Sequence, residues 1–217
     1  MRRRVEARLC SIVEAGTDCV VNASNESATL GGGVSRAFFE ECGGRVLQEE
    51  MRAKLDDEFD GELDEGDCLL TSSGTSTRFR HVLHVAAVSY GGVRARLGPR
   101  GVERTVTSAE RIEACTVAAL EAAARLAAQE GRSLSIAFPL LGAGSGGLTP
   151  AMSCHAMIAG MRAFFRGATD APRRRVLAVP EPDRHEVCSR LVAANSRLAR
   201  RSRDVSDSRR APSRAAT

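Results

Sequence analysis

The sequence predicts an α/β fold in which helices cover both faces of a mostly parallel sheet. Short apolar segments with strand character alternate along the 217 residues with amphipathic segments of helical spacing. Neighbouring parallel strands need a crossover of about ten residues or more, which is usually a helix. Aromatic residues make up only 4% of the chain and Trp is absent, so the core must consist mainly of Val, Leu, Ile and Ala.

Six segments have the apolar composition of strands. They are residues 5–9, 19–21, 68–71, 81–88, 134–141 and 176–179. Helices are predicted between them, and Gly43-Gly44 divides the segment 34–55 into two. Each later helix has a start signal: a capping box from Thr107 to Glu110, Thr149-Pro150, and Asp183 with Glu186. The last two helices are expected to end near residues 165 and 198.

The charge distribution divides the chain into one folded domain, residues 1–198, and a basic tail, residues 199–217. The tail contains six Arg and two Asp, which account for the whole net charge of +4. The body is therefore neutral and carries no basic face for nucleic acid, which only the tail could bind weakly. The tail has little to bury, and we expect it to be disordered.

The remaining composition predicts a cytoplasmic protein without metal or cofactor. Seven Cys are scattered without a CxxC pair, which is typical of a reducing compartment. No leader or membrane-spanning segment is evident. His81 and His84 are three apart on a predicted strand, so their side chains point to opposite faces and do not suit one metal ion.

Two glycine clusters each lie between a strand and a helix: Gly31-Gly32-Gly33 and the segment 142–147, GAGSGG. A helix N-terminus presents unpaired N–H groups, and glycine lets a ligand approach them closely. A turn that needs positive φ is the alternative for either cluster, but a simple turn needs one glycine. Two such loops at the carboxyl ends of parallel strands predict a site that holds a diphosphate from both sides.

The segments 20–25 (VVNASN), 31–34 (GGGV) and 138–144 (FPLLGAG) resemble the macrodomain family. The resemblance covers roughly residues 5–194. It implies a three-layer α/β/α fold with a mixed, mostly parallel sheet. It also implies binding of ADP-ribose, free or attached to a protein, and some members of the family hydrolyse ADP-ribosyl linkages.

The resemblance places the ligand-binding residues by position. Asn25 would bind the distal ribose, the first glycine loop that ribose and one phosphate, and the second loop the other side of the diphosphate, while Asn22 would be structural. The expected contacts are Ser11, Ile12, Asn25, Gly31, Gly32, Gly33, Val34, Gly142, Ala143, Gly144, Ser145 and Gly146.

The chain also departs from the family pattern. Ser11 stands where many members have an Asp for the adenine amine, and neither Val179-Pro180 nor Gly146 supplies the usual aromatic residue. The non-aromatic second loop is similar to the histone-variant branch, which binds rather than cuts. Val34-Ser35 replaces the Val-Asp of one hydrolase branch. Lys54, the only lysine, lies far beyond the loop in which another branch has its nucleophile.

Two alternatives stay open at this point. The first is a hydrolase that removes ADP-ribose from modified targets. The second is a nicotinamide-dependent oxidoreductase, because Gly142, Gly144 and Gly147 match the dinucleotide pattern GxGxxG. That pattern wants an acidic residue about 20 positions later, whereas Glu181 comes roughly 40 positions after Gly142.

Overall fold

A computed structural model describes residues 4–91, 107–167 and 174–208. Its six strands form one sheet in the order β1-β6-β5-β2-β4-β3. They are β1 (Arg4–Arg8), β2 (Cys19–Ser24), β3 (Cys68–Ser72), β4 (His81–Ala86), β5 (Ser135–Phe138) and β6 (Arg174–Ala178). Each lies within a few residues of a predicted strand.

The sheet is mixed and mostly parallel. The pairs β1–β6, β6–β5, β5–β2 and β2–β4 are parallel, and only the edge strand β3 runs antiparallel to its neighbour β4. The carboxyl ends of five strands therefore meet at one edge of the sheet. We call this the carboxyl edge and the opposite one the amino edge.

Helices cover both faces, so the predicted three-layer α/β/α architecture is confirmed. The helices are α1 (Val34–Glu41), α2 (Arg45–Glu58), α3 (Ala109–Gln129), α4 (Pro150–Gly167) and α5 (Pro182–Ser208), with a 3-10 turn at Ile12–Glu14. Phe38, Leu47 and Met51 pack α1 and α2 on one face. The other three helices form a second core on the opposite face, in which Ile112 and Met157 are fully buried.

The helix boundaries confirm some start signals and correct others. Gly43 and Gly44, at φ +80° and +56°, separate α1 from α2 as predicted. The capping box was predicted one residue too early: Ser108 is the N-cap and accepts the Arg111 N–H, because the Thr107 hydroxyl instead donates to Ala87 O at 2.7 Å. The Thr149 cap is confirmed by its bond from Met152 N.

The last helix begins and ends outside its predicted limits. It starts at Pro182 rather than at Asp183 and runs to Ser208, well past residue 198. Residues 196–208 contain no Gly or Pro, so nothing in their backbone chemistry ends the helix there. The helix therefore extends into the segment 199–208, the expected disorder of the tail stays a prediction, and residues 209–217 lie outside the described residues.

Two further features bear on the environment of the protein. In the described ranges, no helix is long and apolar enough to cross a bilayer. All seven cysteines are free thiols, and five of them are buried.

Candidate functional site

The carboxyl edge contains a cleft of about 360 Å³ between the two glycine loops. One wall consists of the loop after β2 and the start of α1, and the other of the loop after β5. The far end is closed by the segments after β1 and β6. The cleft is lined by Ser11, Ile12, Ala23, Gly32, Gly33, Val34, Ala37, Val88, Pro139, Leu140, Gly142, Gly144, Ser145, Gly146, Ala178, Val179, Pro180, Glu181 and Arg184.

The structure brings nine of the twelve predicted site residues to this cleft, and Asn25, Gly31 and Ala143 are the exceptions. Ala143 is buried, and its N–H bonds to Leu140 O. The side-chain oxygen of Asn25 accepts the Thr29 N–H at 3.0 Å and so closes its own loop. A ligand contact by these three residues stays a prediction.

The first loop ends where α1 begins. Gly33 is the N-cap of α1 with φ +58°, a conformation that favours glycine, and no side chain of the described residues caps the helix. In the part of the chain that the structure describes, the backbone N–H groups of Gly32, Gly33 and Val34 have no hydrogen-bond partner. The uncapped helix N-terminus therefore presents donors and partial positive charge to the cleft.

A buried polar network supports this loop from below. Asn22 donates its amide N–H to Nδ1 of His84 at 3.0 Å, and its oxygen accepts the Ser35 hydroxyl at 2.9 Å. The other ring nitrogen, Nε2, lies 2.9 Å from the Thr71 hydroxyl. Burial, and then the positive charge of Lys54, lower the pKa of His84 to about 3, so the imidazole is neutral. The structural role predicted for Asn22 matches this geometry.

Ser35 belongs to that network and not to the cleft. Its side chain is buried, and its hydroxyl also lies 3.2 Å from Ala23 O. A carboxylate at position 35 would face two oxygen acceptors, Asn22 Oδ1 and Ala23 O, in a buried site. The Val-Ser pair noted in the sequence therefore fits the local packing of this chain.

The second loop is a compact turn in which some glycines are required by packing. Gly142 has φ +75°, and a Cβ there would lie 2.9 Å from the Ile112 side chain. A Cβ at Gly146 would lie 2.5 Å from Gly142 O. No side chain fits at Gly146, which explains the absence of an aromatic residue there.

Other cleft glycines have open space beside them. A Cβ at Gly32 or Gly144 would meet nothing within 4 Å, and neither residue has positive φ. Packing and backbone conformation therefore do not require glycine at either position. The N–H groups of Gly144, Ser145 and Gly146 make no hydrogen bond within the described ranges, so the second loop also presents donors to the cleft.

The segment after β6 was considered in the sequence only at Val179-Pro180, and the sequence did not predict that Glu181 and Arg184 line the cleft. Of the described residues that line the cleft, Glu181 and Arg184 are the only charged ones. They form an ion pair in which Arg184 Nη1 lies 3.7 Å from Glu181 Oε1. Local sequence holds no signal for these two charged residues, because they reach the site only through the strand order that places β6 between β1 and β5.

A second depression, of about 470 Å³, lies along the outer face of α3 beside Gly66. Three carboxylates line it: Glu110, Glu113 and Glu121. This acidic rim repels the anion that the glycine loops suit, so we assign the site to the cleft. Within the described residues, no group of three or more His, Cys, Asp or Glu side chains could hold a metal ion.

Comparison with known proteins agrees with this geometry. The model of the Macro domain family matches residues 21–157. A macrodomain from Oceanobacillus iheyensis, solved with ADP, is 19% identical with a TM-score of 0.69 over 89% of this chain and 92% of that one. A Trypanosoma brucei macrodomain in complex with ADP-ribose is 20% identical with a TM-score of 0.63 over 87% of this chain and 68% of that one. At these identities the likeness shows a shared fold. No protein with a curated description matches the chain.

Proposed function

The chain belongs to the macro domain family, and on that premise we propose that it is a binding module for ADP-ribose or a related nucleoside diphosphate, free or attached to a protein. One observation carries the proposal: two loops, whose backbone N–H groups have no partner among the described residues, face each other across one cleft. Backbone N–H groups at a helix N-terminus and in a tight turn are the donors that phosphate oxygens prefer. The macrodomains solved with ADP and ADP-ribose support the ligand class.

The contacts expected of individual residues follow from their positions. The N–H groups of Gly32, Gly33 and Val34 are proposed to bind one phosphate, and those of Gly144, Ser145 and Gly146 the other. Asn25 lies at the start of the first loop, directly after β2, and its amide is proposed to serve the distal ribose as both donor and acceptor. ADP-ribosylated proteins are the proposed partners, since the cleft opens to solvent at the carboxyl edge.

Two observations weigh for binding over hydrolysis. Ser35 is turned into the buried network, so the position that carries an Asp in one hydrolase branch lies outside the cleft lining. The only carboxylate among the described lining residues is Glu181. It lies at the end of the cleft that the segments after β1 and β6 close, which we call the β1/β6 end, rather than between the glycine loops. We therefore propose that this chain is functionally similar to the histone-variant branch, whose second loop also lacks an aromatic residue.

The nicotinamide-dependent alternative gains no support from the second loop. In the dinucleotide-binding pattern, the third glycine lies at the start of a helix whose N-terminus holds the diphosphate. Here α4 begins at Pro150, after Thr149, and its N-terminus is already capped by that threonine side chain. The glycines instead shape a turn that precedes the helix.

Titration calorimetry with ADP-ribose, AMP and NAD tests the proposal. We expect ADP-ribose to bind at least about tenfold more tightly than AMP, because AMP lacks the second phosphate that the opposed loops would hold. Absence of heat with all three ligands at millimolar concentration would refute the proposal. Loss of intact ADP-ribosylated protein on long incubation would favour the hydrolase alternative.

The environment is a separate proposal. Seven free thiols, with no disulfide between any of them, support placement of the protein in the reducing cytoplasm. Labelling of the thiols in intact cells, compared with labelling in the purified and reduced protein, would test it.

A further inference from the structure

We propose that Glu181 reads the base of the bound nucleotide by accepting a hydrogen bond from the exocyclic amine of adenine, and that Arg184 positions its carboxylate. This inference rests on the proposed function, since it concerns the part of the same cleft that the diphosphate leaves unfilled. It assigns base preference to Glu181, directly before α5, and to Arg184 in the first turn of α5, neither of which the sequence analysis included in the site.

The strand order decides which end of the cleft suits a base. The two glycine loops follow the neighbouring strands β2 and β5, so a diphosphate between them occupies the middle of the carboxyl edge. Beyond β5, the segments that follow β6 and β1 close one end. Neighbouring strands are about 4.8 Å apart, so this end extends roughly 10 Å past the second loop. That length accommodates a nucleoside.

The surface chemistry of this end matches a purine. The exposed Pro180, beside the buried side chains of Ile12 and Val179, supplies apolar surface against which a planar ring can pack. The polar groups at this end of the cleft are the carboxylate of Glu181, the guanidinium of Arg184 and the hydroxyl of Ser11. Among the described lining residues, the glycine-rich middle of the cleft has no charged side chain. A base therefore gains most contacts at the β1/β6 end.

The backbone of Glu181 is held unusually firmly. Proline stands on both sides, at Pro180 and Pro182, and restricts the chain before and after it. The Glu181 carbonyl also accepts the His185 N–H at 2.9 Å, which ties it to the first turn of α5. The restricted backbone fixes the point from which the half-exposed side chain of Glu181 projects, and the ion pair with Arg184 orients its carboxylate.

The partner of the carboxylate leaves it available to a ligand. The 3.7 Å between Arg184 Nη1 and Glu181 Oε1 is longer than a hydrogen bond, so the ion pair orients the carboxylate without saturating its oxygens. The pair also neutralises the charge at this end. A second phosphate does not suit this end, because the Glu181 carboxylate would repel it and offset the attraction of Arg184.

The substituent at C6 of the base determines which nucleotide this end of the cleft prefers. A carboxylate accepts a charge-assisted hydrogen bond from the amine at C6 of adenine. Hypoxanthine carries an oxygen at C6, which would face the carboxylate as a second acceptor, so the carboxylate could bond only by moving to the neighbouring N1–H. We expect the wild type to bind ADP-ribose about tenfold more tightly than inosine diphosphate ribose.

The test measures this ratio of affinities in three variants and the wild type. Glu181→Gln can accept from the amine or donate to the C6 oxygen, so its ratio should fall to within about twofold of unity. Arg184→Gln should lower the ratio less, as a positioning residue does. The matched control is Glu186→Gln, which removes the same charge from an exposed glutamate further along α5, outside the cleft lining, where it pairs with Arg190. Its ratio should equal that of the wild type.

The outcomes separate this inference from the function on which it rests. If all proteins bind ADP-ribose but Glu181→Gln keeps the wild-type ratio, the base-reading role is wrong and the proposed function stands. A wild type that prefers the inosine ligand also overturns the inference alone. Failure of the wild type to bind either ligand would overturn the proposed function, and the inference with it.

Discussion

The two edges of the sheet use their polar groups in different ways. At the amino edge, side chains bond to one another: Asp18 accepts bonds from Ser135 and Arg132, and Glu130 accepts from His81 and Arg132. At the carboxyl edge, the glycine loops leave backbone donors without a protein partner in the described ranges. The first arrangement stabilises the fold and the second is available to a ligand, so mutations at the two edges should have separable effects.

The electrostatics of the amino edge show how strongly its two carboxylates are paired. Burial by itself would raise the pKa of Asp18, but the hydroxyl and backbone N–H of Ser135 and the Arg132 guanidinium together lower it. The hydrogen bond from His81, joined by Arg132, lowers the pKa of Glu130. Both carboxylates are therefore held ionised by neighbours already present in the fold.

The largest effect is expected from a charge placed in the cleft. Gly32→Glu puts a carboxylate beside the proposed diphosphate, where repulsion and bulk should weaken ADP-ribose binding by about a hundredfold or more. Since a Cβ there meets nothing within 4 Å, the melting temperature should stay within about 2 °C of the wild type.

The isosteric variant Gly32→Gln is the control for that experiment. It adds the same bulk without the charge and should lose distinctly less affinity than Gly32→Glu. If calorimetry gives wild-type affinity for both variants, the first loop is only a turn and the assignment of the phosphate to it fails.

The amino edge should show the reverse pattern. Asp18→Asn breaks the charge-assisted bonds to Ser135 and Arg132 and should lower the free energy of unfolding by roughly 2 kcal/mol, while ADP-ribose affinity changes less than about twofold. Urea denaturation and calorimetry measure the two quantities. Asp57→Asn, on the exposed surface of α2, is the control that should change neither. A large loss of affinity without loss of stability would break the distinction between the edges.

Acid titration should distinguish the contribution of His84, below the first loop, to the free energy of unfolding from that of the carboxylates at the amino edge. His84 stays neutral in the fold down to about pH 3, whereas an unfolded chain protonates this side chain near pH 6.5. The unfolded state then binds more protons, so stability should fall by about 1.4 kcal/mol per pH unit below pH 6.5. Asp18 and Glu130, with lowered pKa values, lose their contribution only below about pH 4.

The His84→Gln variant tests the source of that slope. Between pH 6.5 and 4.5 its free energy of unfolding, measured by urea denaturation, should vary less with pH than that of the wild type. His155→Gln, which replaces an exposed histidine on α4, should keep the wild-type slope. Equal slopes in the wild type and His84→Gln would show that His84 is not the group responsible.

The smallest expected effect concerns Ser11. This residue lines the β1/β6 end of the cleft, and its hydroxyl does not cap the 3-10 turn that follows it. Ser11→Asp adds a second acceptor beside the base and should raise ADP-ribose affinity by about threefold to fivefold. Affinity for ribose-5-phosphate, which has no base, should not change. A gain for both ligands, or for neither, would contradict the placement of the base at this end.

Local sequence features were sufficient for the strands and for both glycine loops. A strand needs only a short apolar run, and a loop such as Gly31-Gly32-Gly33 carries its signal in consecutive residues. The capping error arose because Thr107 and Ser108 can both cap a helix. The tertiary bond from Thr107 to Ala87 O decides between them, and a sequence pattern does not contain that contact.

The rest of the site depends on contacts between distant segments. Glu181 and Arg184 meet Ser11 and Ile12 only because β6 pairs with β1, a pairing of residues some 170 positions apart. The glycines likewise divide by tertiary contact: Gly146 is required by packing against Gly142, whereas Gly32 is not. Sequence alone shows both as loop glycines.

Nuclear magnetic resonance of protein labelled with ¹⁵N in its 20 glycines tests the central claim most directly. On titration with ADP-ribose, we expect the amide signals of Gly32, Gly33, Gly144 and Gly146 to shift as their N–H groups bind phosphate. Those of Gly16 and Gly131, at the amino edge, should stay in place. Shifts confined to glycines outside the two loops, or no shift at saturating ligand, would contradict the claim that the opposed loops form the binding site.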